Sequence, residues 1–303
     1  MNQANQVFIL TFCVILTGFL LKKFNFIKES EGKTISKFLM HTTFPALMVI
    51  STARIKIEYS LLLLPLFCIA ISIIMIGVAY LVFAKYPPNL RGVLMMGMGG
   101  TNVGLFGFPI IEELFGKEAL AYAIMYDIGN TIIVFGVIYP IGRYFSPLHE
   151  KGLGIKPILK KIFSLPPFIG MLIGLIINLL AIPMPEIFYD FLGILAKGNK
   201  PIVLLLMGIY LSFSLDKNQI IGISKVLYIR YAVSIIVILI LYYFLPINQM
   251  RNVLMMCIIL PMGMTILPFS DEMNYSSKMA GSMVNLSLII SFALMWVLVS
   301  LLL

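Results

Sequence analysis

Long apolar runs, separated by short polar stretches, fill almost the whole chain. A helix of about 20 apolar residues is long enough to cross the hydrocarbon core of a bilayer. The pattern therefore predicts an all-α membrane protein. The ten predicted spans are residues 5–22, 34–52, 61–84, 91–111, 118–142, 164–182, 188–211, 226–245, 251–269 and 277–302.

The fourth and ninth spans share a start and are both interrupted by Gly and Pro. The fourth begins Arg-Gly-Val-Leu-Met-Met at Arg91 and reaches Pro109 through several glycines, while the ninth begins Arg-Asn-Val-Leu-Met-Met at Arg251 and contains Pro261 and Pro268. Interrupted backbone at membrane depth must be buried in protein or line a cavity. Paired interruptions at matching positions of two halves point to the binding site of a secondary transporter.

The two halves of the chain contain five predicted spans each. An odd number gives the halves opposite orientations, so the sequence predicts an inverted repeat of residues 1–145 and 164–303, joined by a cytoplasmic loop at 146–163. Matching positions support the pairing: Pro45 and Pro201 should kink spans two and seven or end a half-helix there. The pair Asp127/Asn130 in span five likewise matches Ser282 and Asn285 in span ten.

Composition agrees with a membrane location. Hydrophobic residues make up 60% of the chain, charged residues 12%, and the mean hydropathy is +1.03. The net charge of +9 comes from single Lys and Arg residues between apolar runs, which does not suit a nucleic-acid surface. The stretch from Val7 to Leu21 lacks a preceding basic residue and a small-residue cleavage site, so it is interpreted as a retained span rather than a signal peptide.

The distribution of Lys and Arg predicts the orientation. Of the 22 such residues, 16 fall in odd-numbered loops, with Arg230 counted in the seventh, and four fall in even-numbered loops. Cytoplasmic loops carry the excess of positive charge. The odd loops should therefore be cytoplasmic and both termini outside, in a bacterial-type plasma membrane.

Three motifs resemble those of the auxin efflux carrier family, which includes bacterial malate and malonate permeases and the plant PIN exporters. They are Thr-Asn-Val-Gly-Leu-Phe-Gly-Phe-Pro from Thr101, Leu-Pro-Met-Gly from Leu260 with Leu-Pro-Phe from Leu267, and Lys-Pro-Ile-Val-Leu-Leu-Leu-Met-Gly from Lys200. The resemblance implies the fold of sodium/proton antiporters and bile-acid carriers. It further implies a scaffold domain of spans 1, 2, 6 and 7, a transport domain of spans 3–5 and 8–10 with spans 4 and 9 as crossover helices, and a homodimer.

The interrupted helices suggest how an anion is bound. The N-terminus of a half-helix presents free N–H groups and about half a positive charge, so the N–H of Ile110, just after Pro109, is a predicted donor. Asn102 is the first-choice residue, because the resemblance implies that the matching Asn contacts substrate; alternatively, Asn102 only caps the interrupted helix. The predicted substrate-binding residues are Asn102, Thr101, Gly104, Pro109, Ile110, Pro261, Gly263 and Pro268.

Charged residues inside spans are the candidates for coupling, because they are costly in a membrane. Asp127, on one helix face with Asn130, could carry a coupling proton or form a structural salt bridge. Lys197 and Lys200 could attract an anion, replace a coupling cation or snorkel to the interface. The family usually has small or polar residues at these two positions, so the lysines are a departure. Asn285 is the second-half counterpart of Asn130.

The sequence predicts a carrier of a small organic anion, such as malate, malonate or an auxin-like acid, working by elevator-type alternating access. The alternatives are a proton- or sodium-coupled symporter of an amino acid or bile-acid-like compound, and an intramembrane enzyme. No paired catalytic constellation supports the enzyme. No metal or cofactor site is predicted, and the three cysteines are interpreted as inert. The expected partners are the substrate anion, the lipid bilayer and a second copy of the chain, with no nucleic acid.

Overall fold

The computed structural model describes residues 3–54, 59–147, 163–211 and 219–302, together with 156 and 160. Most of the predicted loop 146–163 lies outside these residues. The described chain is almost entirely helical, as the hydrophobic pattern predicts. Its α-helices are α1 Gln3–Lys23, α2 Glu29–His41, α3 Thr43–Ala53, α4 Leu63–Val82, α5 Pro88–Gly99, α6 Phe108–Ile133, α7 Tyr139–Phe145, α8 Pro166–Leu179, α9 Glu186–Lys197, α10 Asn199–Tyr210, α11 Ile220–Phe244, α12 Gln249–Ile259, α13 Ile266–Glu272 and α14 Ser277–Leu302.

Shorter helical turns link some of these elements. A 3-10 turn at Tyr59–Leu62 leads into α4, and π-helical turns at Val103–Gly107 and Val134–Ile138 precede and follow α6. A π turn widens the helix by one residue and often occurs at functional sites. Both of these π turns border the cavity described below.

Six helical stretches within the described residues are long and apolar enough to cross a membrane, which makes the chain a multi-pass membrane protein. Large apolar side chains on these helices are exposed, among them Leu81 at 75% and Phe244 at 81%, as expected for a surface that faces lipid. The ten-span count stays a prediction. The six stretches are Asn5–Lys23, Leu63–Val82, Val103–Phe145, Glu186–Tyr210, Ile220–Phe244 and Ser277–Leu302.

The stretch Val103–Phe145 has 43 residues, about twice the length that one crossing needs. It is broken at Gly116, whose φ of +85° suits glycine because other residues carry a Cβ that clashes there. The backbone N–H of Thr101 donates to Oδ1 of Asn130 at 3.0 Å, although a straight helix would separate the two by about 40 Å. The chain therefore reverses direction at Gly116, between predicted spans four and five.

The two predicted proline kinks are present. Span two breaks at Thr42 and span seven at Gly198, and Pro45 and Pro201 each take the third position of the helix that follows. A proline in the first turn costs little because its missing N–H has no intrahelical partner there. The two breaks meet, since Oγ1 of Thr43 donates to Oδ1 of Asn199 at 2.8 Å.

These two spans pack closely on the first and sixth. α1 crosses α10 so tightly that a Cβ on Gly18 would lie 2.0 Å from the Leu205 carbonyl oxygen, and one on Gly208 would lie 1.9 Å from the Ile15 carbonyl oxygen. α3 packs against α8 in a similar manner. Small residues at such crossings let membrane helices approach closely. Helices α1, α2, α3, α8 and α10 thereby form one packed group.

Candidate substrate site at two interrupted helices

The interruptions of the fourth and ninth spans lie against each other. α5 ends at Gly99 and α12 at Ile259, and the extended segments that follow form an antiparallel bridge between Thr101 and Met262. The N–H of Asn102 donates to the Pro261 carbonyl at 2.8 Å. The N–H of Gly263 donates to the Gly100 carbonyl at 3.3 Å. Each break thus supplies hydrogen-bond partners that the other lost with its helix.

Asn130 on α6 holds the first break in place. Its Oδ1 accepts from the N–H of Thr101 at 3.0 Å, and its Nδ2 donates to the Thr101 carbonyl at 2.9 Å and to Oδ1 of Asp127 at 2.8 Å. Asn130 is only 6% exposed. Its amide therefore replaces the missing helix partners of Thr101 and links the break to the Asp127 carboxyl.

Ser287 on α14 does the same for the second break. Its Oγ accepts from the N–H of Met262 at 3.0 Å and donates to the Val284 carbonyl at 2.8 Å. Sequence reasoning paired Asn130 with Asn285, two residues earlier, and missed Ser287. The signal was present as a serine in an apolar span, but only the pairing of Thr101 with Met262 shows which serine faces the break.

Arg230 lies at the same crossing and was also missed. The charge count placed it in the seventh loop, but α11 carries it into the protein interior, where it is fully buried. Its guanidinium donates to the carbonyls of Gly97, Met98 and Leu260. The available signal was its place inside the predicted span 226–245, where a charged residue is a functional candidate by default. Most Lys and Arg residues remain in odd-numbered loops after this correction.

A cavity of about 230 Å³ opens beside the first break. We call it cavity 1; its polar lining includes Thr101, Asn102, Asp127 and Asn130. Aromatic and Met side chains of α2, α3 and α8 form the apolar wall, and Gly104 and Gly263 complete the lining at the breaks. A cavity with a mostly apolar wall and a few convergent polar groups has the usual character of a small-molecule site.

The amide of Asn102 is the distinctive group in cavity 1. Asn102 is 5% exposed, and its Nδ2 has no hydrogen-bond partner among the described residues. A buried donor that is left unpaired costs about 1–3 kcal/mol. A ligand oxygen in cavity 1 could accept a hydrogen bond from Nδ2 of Asn102. The side-chain amide of Asn130, in contrast, already hydrogen-bonds to Thr101 and Asp127.

A larger cavity of about 840 Å³ lies beside the second break. This cavity 2 is lined by Lys33 of α2, by Asp271 of α13 and by Lys278 and Asn285 of α14, and also by Pro268. The two cavities share part of their walls on either side of the crossing. The shared residues are Met40, Leu105, Met264 and Thr265.

The structure gathers six of the predicted site residues in cavity 1 and two in cavity 2. Five others line neither cavity. Those in cavity 1 are Thr101, Asn102, Gly104, Asp127, Asn130 and Gly263; those in cavity 2 are Pro268 and Asn285; the remaining five are Pro109, Ile110, Pro261, Lys197 and Lys200.

The N–H of Ile110 is not the free donor that the sequence predicts, because the half-helix starts earlier in the chain. Helical structure resumes at Val103, and the N–H groups of Phe106 and Gly107 already donate to the Asn102 carbonyl. Pro109 and Ile110 therefore lie inside the helix, and Ile110 is 1% exposed. The first turn that lacks intrahelical partners is at Val103, directly beside Asn102. The Pro261 carbonyl is likewise occupied by Asn102.

The two lysines of span seven lie away from the cavities. Nζ of Lys200 forms an ion pair with the Glu113 carboxylate on α6, and both side chains are partly exposed. Lys197 is exposed at the end of α9. Of the three roles considered for Lys200, direct attraction of an anion in cavity 1 has no geometric support. Among the described residues, no cluster of three or more His, Cys, Asp or Glu could hold a metal ion.

Apolar helices that cross a membrane, two helix breaks that meet inside the protein, and a cavity beside them define the class of polytopic membrane carriers. A family model described as "Membrane transport protein" matches residues 5–299, so the chain belongs to that family, the auxin efflux carrier family that its motifs resemble. This is a family of membrane transporters and not a class of enzymes.

Curated relatives agree with this assignment. An uncharacterized transporter of Methanothermobacter thermautotrophicus is 26% identical over 230 residues, which covers 73% of this chain and 72% of the relative. A second uncharacterized transporter, from Methanocaldococcus jannaschii, is 25% identical over 218 residues, or 68% of each chain. Both are similar along most of their length, and both carry the name of transporter only.

Proposed function

We propose that this transporter moves a small organic anion across the plasma membrane by alternating access, with Asn102 as a direct ligand of the substrate carboxylate. The observation that carries the proposal is the buried, unpartnered Nδ2 of Asn102 in cavity 1. The start of the half-helix at Val103 adds its free N–H groups beside that amide. A cavity of about 230 Å³ suits a compact carboxylate better than an extended one.

The proposal includes ten spans in a 5+5 inverted repeat. Three pairings support it: the bridge between Thr101 and Met262, the contact between the breaks of spans two and seven, and the equivalent roles of Asn130 and Ser287. An antiparallel meeting of two interrupted helices is what a two-fold axis in the membrane plane produces. The proposed orientation places both termini outside.

We further propose an elevator division of the molecule. The scaffold consists of α1–α3 and α8–α10, and the moving transport domain consists of α4–α7 and α11–α14. Both cavities lie on the boundary between these groups, since α2 lines each of them on one side, joined by α3 in cavity 1, and the two breaks lie on the other side. The ion pair of Lys200 with Glu113 crosses the same boundary. The scaffold is also the proposed surface for a homodimer, by family analogy alone.

Asp127 bears on coupling. A substrate carboxylate and an ionised Asp127 in one small cavity would repel each other strongly in a low-dielectric setting. We therefore propose that a proton accompanies the anion. The same carboxylate supports a second candidate substrate, an amino acid, because Asp127 could pair with an ammonium group while Asn102 binds the carboxylate.

The test is uptake and binding of radiolabelled malonate and of alanine by purified protein in proteoliposomes. Asn102→Ala should weaken malonate binding by about tenfold or more, because a hydrogen bond to a charged group contributes about 1.5–3 kcal/mol. Asn89→Ala, an exposed asparagine at the start of α5, is the matched control and should bind normally. Unchanged affinity in Asn102→Ala would place the site elsewhere.

Asp127→Asn separates the two substrate classes in the same vesicles. For an anion carried with a proton, this variant should keep malonate binding but lose accumulation driven by a pH gradient. For an amino acid, it should lose alanine binding at every pH. Uptake of both probes that is indifferent to the substitution would remove Asp127 from the mechanism.

A further inference from the structure

A single arginine joins the ends of both interrupted helices. Arg230 reaches from the middle of α11, and its side chain is fully buried. Nη1 donates to the carbonyls of Gly97 at 3.2 Å and Met98 at 3.0 Å, and Nη2 donates to the carbonyl of Leu260 at 3.2 Å. The first two carbonyls belong to the last turn of α5, and the third follows α12 directly.

These carbonyls are electrically special. The last carbonyls of a helix have no intrahelical partner, and together they carry about half a negative charge. Here two such ends meet inside a membrane protein, so their negative potentials add at one point. In carriers with interrupted helices, carbonyls of this kind are where a coupling Na⁺ or H⁺ is held.

Arg230 has no acidic partner in the described part of the chain; its hydrogen bonds go to backbone carbonyls. An isolated buried charge is strongly unfavourable unless something compensates it. The two helix ends provide that compensation, and the guanidinium in turn satisfies their carbonyls. The fork of a guanidinium allows it to contact both helices at once, which an ammonium group does less well.

We propose that Arg230 is a resident cation that takes the place of a coupling metal ion at the crossing, so that the transport cycle needs no sodium. This inference concerns the proposed carrier function. The uptake experiment below rests on that function, whereas the unfolding experiment does not. Arg230 acts as a positioning residue, because it holds the ends of α5 and α12 together and lines neither cavity. The anion site beside Asn102 thereby keeps its geometry without a bound metal.

The first experiment needs no substrate. Thermal unfolding of the purified protein is measured in choline chloride, sodium chloride and guanidinium chloride. Each salt is used at millimolar concentrations and at constant ionic strength. Wild type should unfold at the same temperature in all three salts. Arg230→Ala should unfold several degrees lower and be restored in part, with saturation, by guanidinium, because this variant leaves three carbonyl oxygens around an opened space. The unfolding temperature of Arg230→Lys should lie between those of wild type and Arg230→Ala.

Arg251→Ala is the matched control. Arg251 is also buried and also donates to backbone carbonyls, those of Tyr242 and Leu245 near the end of α11, but it contacts no break. Its variant should show no cation-dependent recovery. Equal recovery of both variants, or a saturable stabilisation of wild type by sodium, would overturn the proposal.

The second experiment measures malonate uptake in proteoliposomes with sodium replaced by choline. Wild-type uptake should be unchanged, and Arg230→Ala should lose uptake and recover part of it with guanidinium. Uptake by wild type that requires sodium would overturn the proposal. If wild type takes up no malonate in either salt, the proposed function fails for this substrate, while the unfolding experiment still decides the role of Arg230. If Arg230→Ala does not fold, wild type and Arg230→Lys decide it.

Discussion

Replacing Asn130 with alanine should loosen the first helix break and stop transport without removing any group that we assign to substrate. Asn130 makes three hydrogen bonds of 3.0 Å or less, two to the backbone of Thr101 and one to Asp127. Interhelical side-chain hydrogen bonds in membrane proteins average about 0.6 kcal/mol, so the two to Thr101 contribute about 1 kcal/mol. Leaving two backbone groups of Thr101 unpaired costs about 1–3 kcal/mol each.

The two estimates bracket a loss of about 1–6 kcal/mol for Asn130→Ala. The assay pairs thermal unfolding in detergent with malonate uptake in proteoliposomes. Asn178→Ala is the matched control, because Nδ2 of Asn178 donates to the carbonyls of Thr52 and Ala53 at 3.2 and 3.0 Å, and none of these residues lines either cavity. That variant should lose some stability but keep uptake.

Comparable uptake in the Asn130 and Asn178 variants, at comparable stability, would refute the reasoning. It would mean that the geometry of the break at Thr101 does not control transport. If Asn130→Ala unfolded at the same temperature as wild type, the reasoning would be refuted more directly. The hydrogen bonds to Thr101 would then contribute nothing to stability.

Two further predictions concern packing and orientation. Gly129→Ala should destabilise the protein by about 1–3 kcal/mol through overpacking, because its Cβ would lie 2.3 Å from the Pro65 carbonyl oxygen. Gly77→Ala is the control, because a Cβ there would have no neighbouring atom within 4 Å. In thermal unfolding that variant should be neutral or slightly stabilised. In a cysteine-free background in sealed cells, Leu180→Cys should react with an impermeant thiol reagent and Phe26→Cys should not; the reverse pattern would invert the predicted topology.

The helix breaks and the neighbourhood of cavity 1 could be predicted from the sequence. Gly, Pro and polar residues in apolar spans are unfavourable in lipid, so they mark places that are buried in protein or line a cavity. Asn102, Asp127 and Asn130, which were singled out separately, all line cavity 1. The start of the half-helix was wrong by about two turns, because Pro109 marks where a helix can start, while the hydrogen bonds to the Asn102 carbonyl decide where it does. Propensity alone does not contain that tertiary choice.

Arg230 and Ser287 were missed for a different reason. Each acts through backbone groups of segments 25 to 133 residues distant in the chain, and a backbone carbonyl or N–H leaves no mark in the sequence. A side chain that pairs with another side chain can be sought by residue type. One that pairs with a helix end can be identified only after the fold shows which ends meet.

The bridge between Thr101 and Met262 has a thermodynamic consequence for the proposed carrier. Because each break is hydrogen-bonded to the other, the groups around Asn102 travel as one rigid unit and keep their mutual distances on both sides of the membrane. The helices α2, α3 and α8 that form the apolar wall of cavity 1 belong to the proposed scaffold, so the wall that faces Asn102 changes during transport while the polar side does not. A difference between the dissociation constants for substrate measured from the two faces of oriented vesicles should therefore come from the apolar wall and not from the breaks.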